Sequence, residues 1–148
     1  IYVVPPESDL SSYDLVESSA AAIVYGTKMA LEIVLRGTPT LVAGESFVRG
    51  KGFTLDASTP DEYAAMLQAL HLAPRLDAAK LERARRYAEH FFFRRQIDFS
   101  LVKENTRSEP ALNFTDLGSL RPGKSAALDA ICAGLVDGSE ILAPDAND

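Results

Sequence analysis

The chain has 148 residues, enough for one domain of ordinary size or for part of a larger protein. Apolar residues make up 47% and charged residues 24%, which supplies one real core and excludes global disorder. The net charge of −6 argues against nucleic acid as the main partner, and the single cysteine excludes an internal disulfide framework. Two histidines beside that cysteine argue against a structural zinc site, so no metal or cofactor is expected. The longest apolar runs, such as Ala20 to Tyr25, are a few residues long, so no transmembrane helix is expected. Ile1 opens directly onto a strand-like run with no basic segment before it, so neither a secretory signal nor a complete protein is expected.

Charge is uneven along the chain. Residues 1–74 carry four basic and nine acidic groups, net −5, and residues 75–107 carry nine and five, net +4. Residues 108–148 return to net −5. The basic middle suits a solvated helix face better than an anionic ligand or a membrane surface.

Ile1 to Val4 is apolar and β-rich, and Pro5-Pro6 stops it, as for a buried strand. Ser11 or Ser12 caps a short helix to about Ser19. Ala20 to Tyr25 reads as a buried parallel strand ended by Gly26. Thr27 opens a helix through Leu35, with Met29, Ala30, Ile33 and Val34 at helical spacing and Gly37 where a left-handed C-terminal residue belongs. Pro39 to Ala43 is a third strand, followed by the Gly-rich stretch Gly44 to Gly52. This order predicts an α/β fold with a parallel sheet over residues 1–56.

Thr59-Pro60-Asp61-Glu62 is a strong helix start, with Thr59 as N-cap, Pro60 at N1 and Glu62 completing a capping box. Tyr63, Met66, Leu67 and Leu70 form its apolar face. A longer helix covers Ala78 to Arg95, with Leu81, Ala84, Ala88 and Phe91 on one side. Phe91-Phe92-Phe93 spreads aromatics around more than half of that helix, so a missing domain or a second copy is expected to cover some of them. Residues 100–123 read as an irregular crossing segment. A last helix runs from Lys124 to Val136, with Leu128, Ile131 and Leu135 inward and Cys132 as a small buried hydrophobe. The whole of 1–142 is expected to form a single domain with a loose tail over 143–148.

The chemistry concentrates where the strand ending at Tyr25 meets Gly26-Thr27-Lys28. Free backbone N–H groups at a helix start suit a phosphate, Gly26 permits close approach, Thr27 caps the helix or bonds a phosphate oxygen, and Lys28 adds charge. Glu32, more than one turn in, suits a pair of ribose hydroxyls or is a plain surface carboxylate favourable to the dipole; spacing alone favours the latter. The junction is neither a GxGxxG fingerprint nor a Walker loop. Arg49 and Lys51 in the Gly44–Gly52 loop close over a diphosphate or a sugar carboxylate, or are simply solvated. Tyr25 stacks on a base or belongs to the core rim.

The segment from Asp14 to Thr54 resembles the nucleotide-sugar half of GT-B glycosyltransferases, most of all the capsule polysaccharide biosynthesis family with its Kdo-type transferases. Ala22 to Tyr25, Gly26-Thr27, Glu32, Gly37-Thr38-Pro39, Leu41 to Ala43 and Gly44 to Thr54 carry the likeness. Phe91 to Arg95, Pro122-Gly123, Asp129, Ile131-Cys132 and Gly134 extend it to most of the chain. Two departures stand out: Pro5-Pro6 where relatives have His-Pro, and Thr27-Lys28 where they carry Ser-Thr or Ser-Ser.

The resemblance implies a Rossmann-like parallel sheet flanked by helices, half of a GT-B fold, with additional C-terminal helices. It implies a CMP- or UDP-linked nucleotide sugar as ligand. A polysaccharide or lipid-linked acceptor, together with the catalytic base, would come from the other half. It also implies a cytoplasmic protein, peripheral at the inner membrane face. The alternatives are a non-catalytic sugar-nucleotide or partner-binding module of a polysaccharide synthesis or export machine, and a non-hydrolysing epimerase, which would need more acidic and histidine residues in the crevice.

Overall fold

The computed structural model describes residues 2–103 and 110–144. Two compact units make up the chain, Ile1–Tyr87 and Ala88–Asp148. The first holds α1 (Ser12–Ser18), β1 (Ala22–Val24), α2 (Met29–Leu35), β2 (Thr40–Val42), β3 (Leu55–Asp56) and α3 (Pro60–Ala69), which ends in a 3-10 turn over Leu70–Leu72. Helix α4 (Ala78–Glu89) carries the chain out of it.

The strands form one parallel sheet in the order β1-β2-β3. Ala22, Ile23 and Val24 pair with Thr40, Leu41 and Val42, and Leu41 and Val42 pair with Leu55 and Asp56. All of β2 is buried, as expected for a central strand flanked on both edges. Buried Thr40 donates its hydroxyl to the Thr38 carbonyl at 3.0 Å, so a polar side chain is tolerated in this core. Helix α2 covers the sheet with Ala30, Leu31, Ile33 and Val34, adjacent in the three- and four-residue spacing of one face. Leu31, Val34, Leu41, Val42 and Val48 are its fully buried centre.

Helix α2 ends as the sequence predicts. Gly37 takes φ 78°, its N–H donates to the Val34 carbonyl at 2.8 Å, and the Thr38 N–H donates to the Ile33 carbonyl at 3.4 Å. These are the two bonds of a Schellman closure. At the other end the helix starts at Met29 rather than Thr27. Lys28 already has helical dihedrals and makes no side-chain cap bond, while the Thr27 hydroxyl accepts from the Met29 N–H at 3.3 Å.

The expected first strand is not formed. Tyr2, Val3 and Val4 are exposed and outside any strand, and Ile1 lies outside the described residues. One edge of β2 is filled by β1 through the α2 crossover, and β3 fills the other after the loop from Ala43 to Thr54. The third parallel strand is therefore Leu55–Asp56, and β-rich composition at 2–4 does not by itself supply a partner. Helix α3 starts as expected: the Thr59 hydroxyl accepts the Glu62 N–H at 3.2 Å. The Glu62 carboxylate reaches back one residue further than a standard capping box, to the Ser58 N–H at 2.8 Å.

The second unit contains one π-helical turn over His90–Arg94, the antiparallel pair β4 (Val102–Lys103) and β5 (Ala111–Leu112), a 3-10 turn at Leu117–Leu120, and α5 (Ala126–Asp137). The helix expected through Arg95 thus widens at His90. Phe91 and Phe92 are half-buried, with ring centroids 5.2 Å apart edge to face, and Phe93 is 77% exposed. The segment read as irregular contains the β4–β5 pair and a single-turn helix. Helix α5 is capped by Ser125, whose hydroxyl accepts from Leu128 at 3.3 Å. Two expectations on α5 fail: Leu135 and Cys132 are exposed. A unit this small has too little surface to cover every apolar face of a helix rich in Ala, Leu and Ile. Ala143, placed in the loose tail, donates to the Arg94 carbonyl at 2.6 Å, and 145–148 lie outside the described residues. Among the described residues no helix is long and apolar enough to cross a membrane.

Gly37 offers a clean test of the α2 closure. A Cβ there would meet nothing nearer than Arg75 Nε at 3.9 Å, so only the left-handed backbone resists a side chain. Gly37→Ala should cost about 1 kcal/mol in urea unfolding, and Gly37→Asn less.

Candidate functional site

In a parallel sheet the strand C-termini and the helix starts that follow them lie along one edge. Here that edge carries Tyr25-Gly26-Thr27-Lys28 after β1, Ala43-Gly44-Glu45 after β2, and Ala57-Ser58-Thr59 after β3. The Ala43 N–H extends the ladder to the Val24 carbonyl at 2.8 Å, which draws the first two junctions together. A Cβ on Gly44 would sit 2.7 Å from the Tyr25 ring, so that ring lies against bare backbone while staying 77% exposed. Gly26 is close to the Glu45 carbonyl, which a Cβ would approach to 3.2 Å.

Between the β2 and β3 ends and the start of α3 is a cavity of about 390 Å³. Gly44, Glu45, Arg49, Ser58, Thr59 and Tyr63 are prominent in its wall. Of the residues singled out in the sequence, Arg49 lines it. Tyr25 and Gly26 adjoin it through Gly44 and Glu45.

Arg49 is placed by its own hydrogen bonds. Its guanidinium donates to the carbonyls of Val42 at 3.1 Å and Gly44 at 3.4 Å, and also to that of Ala57. Val42 ends β2, and Gly44 and Ala57 lie just past the ends of β2 and β3. A planar fork suits several carbonyls at once, so Arg49 ties the two strand ends together rather than closing over a ligand. Lys51, unlike Arg49, does not line the cavity: it is exposed, with Nζ 5.7 Å from the centre of the Tyr87 ring. The loop bearing both is shaped by Asp56, whose carboxylate accepts from the Gly50 N–H and the Thr54 hydroxyl, each at 2.8 Å.

Glu32 faces α1. Its Oε2 accepts the Tyr13 hydroxyl at 2.7 Å. One turn on, Arg36 pairs with Glu17 and lies 5.7 Å from the centre of the Tyr13 ring. These contacts hold a seven-residue helix whose one buried residue is Val16. The hydrogen bond to Glu32 and that group's negative charge push the Tyr13 phenol above its ordinary pKa, with Arg36 opposing. Thr27 and Lys28 are exposed at the start of α2.

Glu45, Ser58 and Tyr63 were not picked out as a site in the sequence. The signal was present in Thr59: a helix start directly after a strand places its first turn at the sheet's C-terminal edge, and β3 is what makes 58–60 such a place. Of the histidines, His71 is exposed, and His90 lies 3.8 Å from the Glu140 carboxylate. Among the described residues no group of three His, Cys, Asp or Glu side chains is placed to hold a metal ion. No family model, curated protein or solved structure matches the chain.

Two outcomes follow from these contacts. Arg49→Met keeps the stem but removes the fork, and should cost about 2 kcal/mol in urea unfolding; Arg49→Lys should recover less than half, because an ammonium cannot span both strand ends. Because the folded Tyr13 pKa is raised, the stability this pair contributes is fully present below the ordinary phenol pKa. It is lost as pH rises through the folded value. Absorbance titration should find Tyr13 ionising late, and Glu32→Gln should return it toward the ordinary phenol value.

Proposed function

We propose that the chain is the nucleotide-sugar-binding half of a GT-B-like glycosyltransferase acting in capsule or surface polysaccharide assembly. The observation that carries this reading is the cavity at the C-terminal edge of the parallel sheet, whose wall residue Glu45 adjoins Gly26. The resemblance of residues 14–54 to that family supplies the ligand class, a CMP- or UDP-linked sugar.

In this reading the phosphate lies at the Thr27 and Lys28 backbone N–H groups, with the Lys28 ammonium beside it. The ribose lies toward Glu32 and shares that carboxylate with Tyr13. The Tyr25 ring, already lying on Gly44 and open to solvent, is a platform for a base. Neutralising the departing phosphate is then this half's contribution to transfer. The acceptor and the base that activates it belong to the other half, so this chain alone binds and does not transfer. In the whole protein the site is cytoplasmic, at the inner membrane face.

A second reading, a non-catalytic module of a synthesis or export machine, is favoured by the exposed Pro5-Pro6 in place of His-Pro and by the exposed Phe93.

Calorimetric titration with CMP and UDP tests the first reading. Glu32→Gln should weaken nucleotide binding by about one order of magnitude. Since that substitution also loosens α1, Tyr13→Phe is the control: it releases α1 from Glu32 while keeping the carboxylate, and should leave binding equal or tighter. No binding of either nucleotide by the chain joined to its acceptor half would favour the non-catalytic module.

A further inference from the structure

We propose that the cavity walled by Glu45, Arg49, Ser58, Thr59 and Tyr63 is a subsite for an uncharged, polyhydroxylated sugar, and that it disfavours a sugar bearing a carboxylate. The inference rests on the nucleotide-sugar reading above and narrows it to a substrate class.

An acidic sugar needs a cation with donors aimed at it. The cation in the wall is Arg49, and its fork is turned into the carbonyls of Val42, Gly44 and Ala57. Lys51 lies beside the Tyr87 ring instead. At the start of α3 three positions give an anion no donor. Pro60 has no N–H, the Glu62 N–H is held by the Thr59 hydroxyl, and the Ser58 N–H is held by the Glu62 carboxylate. That carboxylate also adds negative charge at the helix end where an anion would sit.

The groups left facing the cavity suit hydroxyls. The Glu45 carboxylate makes no hydrogen bond or ion pair among the described residues, and a carboxylate is a strong acceptor for sugar O–H groups. Thr59 accepts from Glu62, so its own proton remains to be donated. Ser58 adds a second hydroxyl, and the half-buried Tyr63 adds apolar surface for the C–H face of a pyranose. With three of the Arg49 N–H groups held by backbone carbonyls, a second carboxylate would meet the like charge of Glu45 without a free guanidinium fork to bind it.

Titration of the whole chain with UDP, UDP-glucose, UDP-glucuronate and CMP tests this. UDP-glucose should bind about tenfold tighter than UDP, the worth of one or two good hydrogen bonds. UDP-glucuronate should bind no tighter than UDP. Glu45→Ala, at an exposed side chain, should bring UDP-glucose down to the affinity of UDP and leave UDP unchanged. Equal affinities for UDP and UDP-glucose would remove the sugar subsite, and tighter binding of UDP-glucuronate would reverse its charge preference. Binding of CMP without UDP would overturn the inference yet leave the nucleotide reading standing, because CMP is the carrier of acidic ulosonic sugars. Failure of all four to bind would overturn both.

Discussion

Strand β2 has both edges paired and both faces covered, and the rest of the first unit is positioned by satisfying it. Buried backbone must be hydrogen-bonded, so a three-residue strand in this position needs a partner on each side. The α2 crossover delivers one partner and the loop from Ala43 to Thr54 delivers the other. At the end of the ladder Arg49 donates its guanidinium to the carbonyls of Val42, Gly44 and Ala57. A positive charge that the sequence offers as a ligand contact therefore works as a strap across the strand ends. The arrangement leaves the neighbouring crevice open while holding its floor rigid.

The same constraint separates two surfaces of different chemical character. The start of α2 carries exposed Thr27 and Lys28 and a helix dipole, which favours an anion. The cavity beyond Glu45 carries acceptors and hydroxyls, which favours a neutral polar group. Gly26 and Gly44 let the junctions approach each other: one runs near the Glu45 carbonyl, and the other lies against the Tyr25 ring. A nucleotide with a sugar attached has these two characters in that order, an anionic middle and a neutral end.

Local rules with short reach were legible in the sequence. Ser11 caps α1, Gly37 closes α2, and Thr59-Pro60 opens α3, each through a bond to a residue within a few positions. The parallel pairing of β1 with β2 was legible too, because an apolar run, an amphipathic helix and a second apolar run admit one connection. The third strand was misassigned because Tyr2 to Val4 has the composition of a strand, whereas Leu55-Asp56 is too short to show a period. What decides between them is the vacant edge of β2, a property of the assembled sheet. The site residues follow the same division. Gly26 and Tyr25 lie where the strand-to-helix junction puts them. The partners of Arg49, Lys51 and Glu32 come from elsewhere in the fold, and no spacing rule reveals that Glu32 meets a tyrosine nineteen residues before it.

Helix α1 is attached by one buried side chain, Val16, and otherwise by contacts that water can replace. Its free energy of detachment is therefore a small fraction of that of the sheet beneath it, and it opens as a unit of its own while β2 stays closed. Surface ion pairing weakens as salt screens it, whereas the packing of Leu31 and Leu41 does not. Ionic strength thus acts on this chain selectively: it raises the time that residues 12–18 spend exposed to solvent, exchange and proteases, and leaves the core's lifetime unaltered.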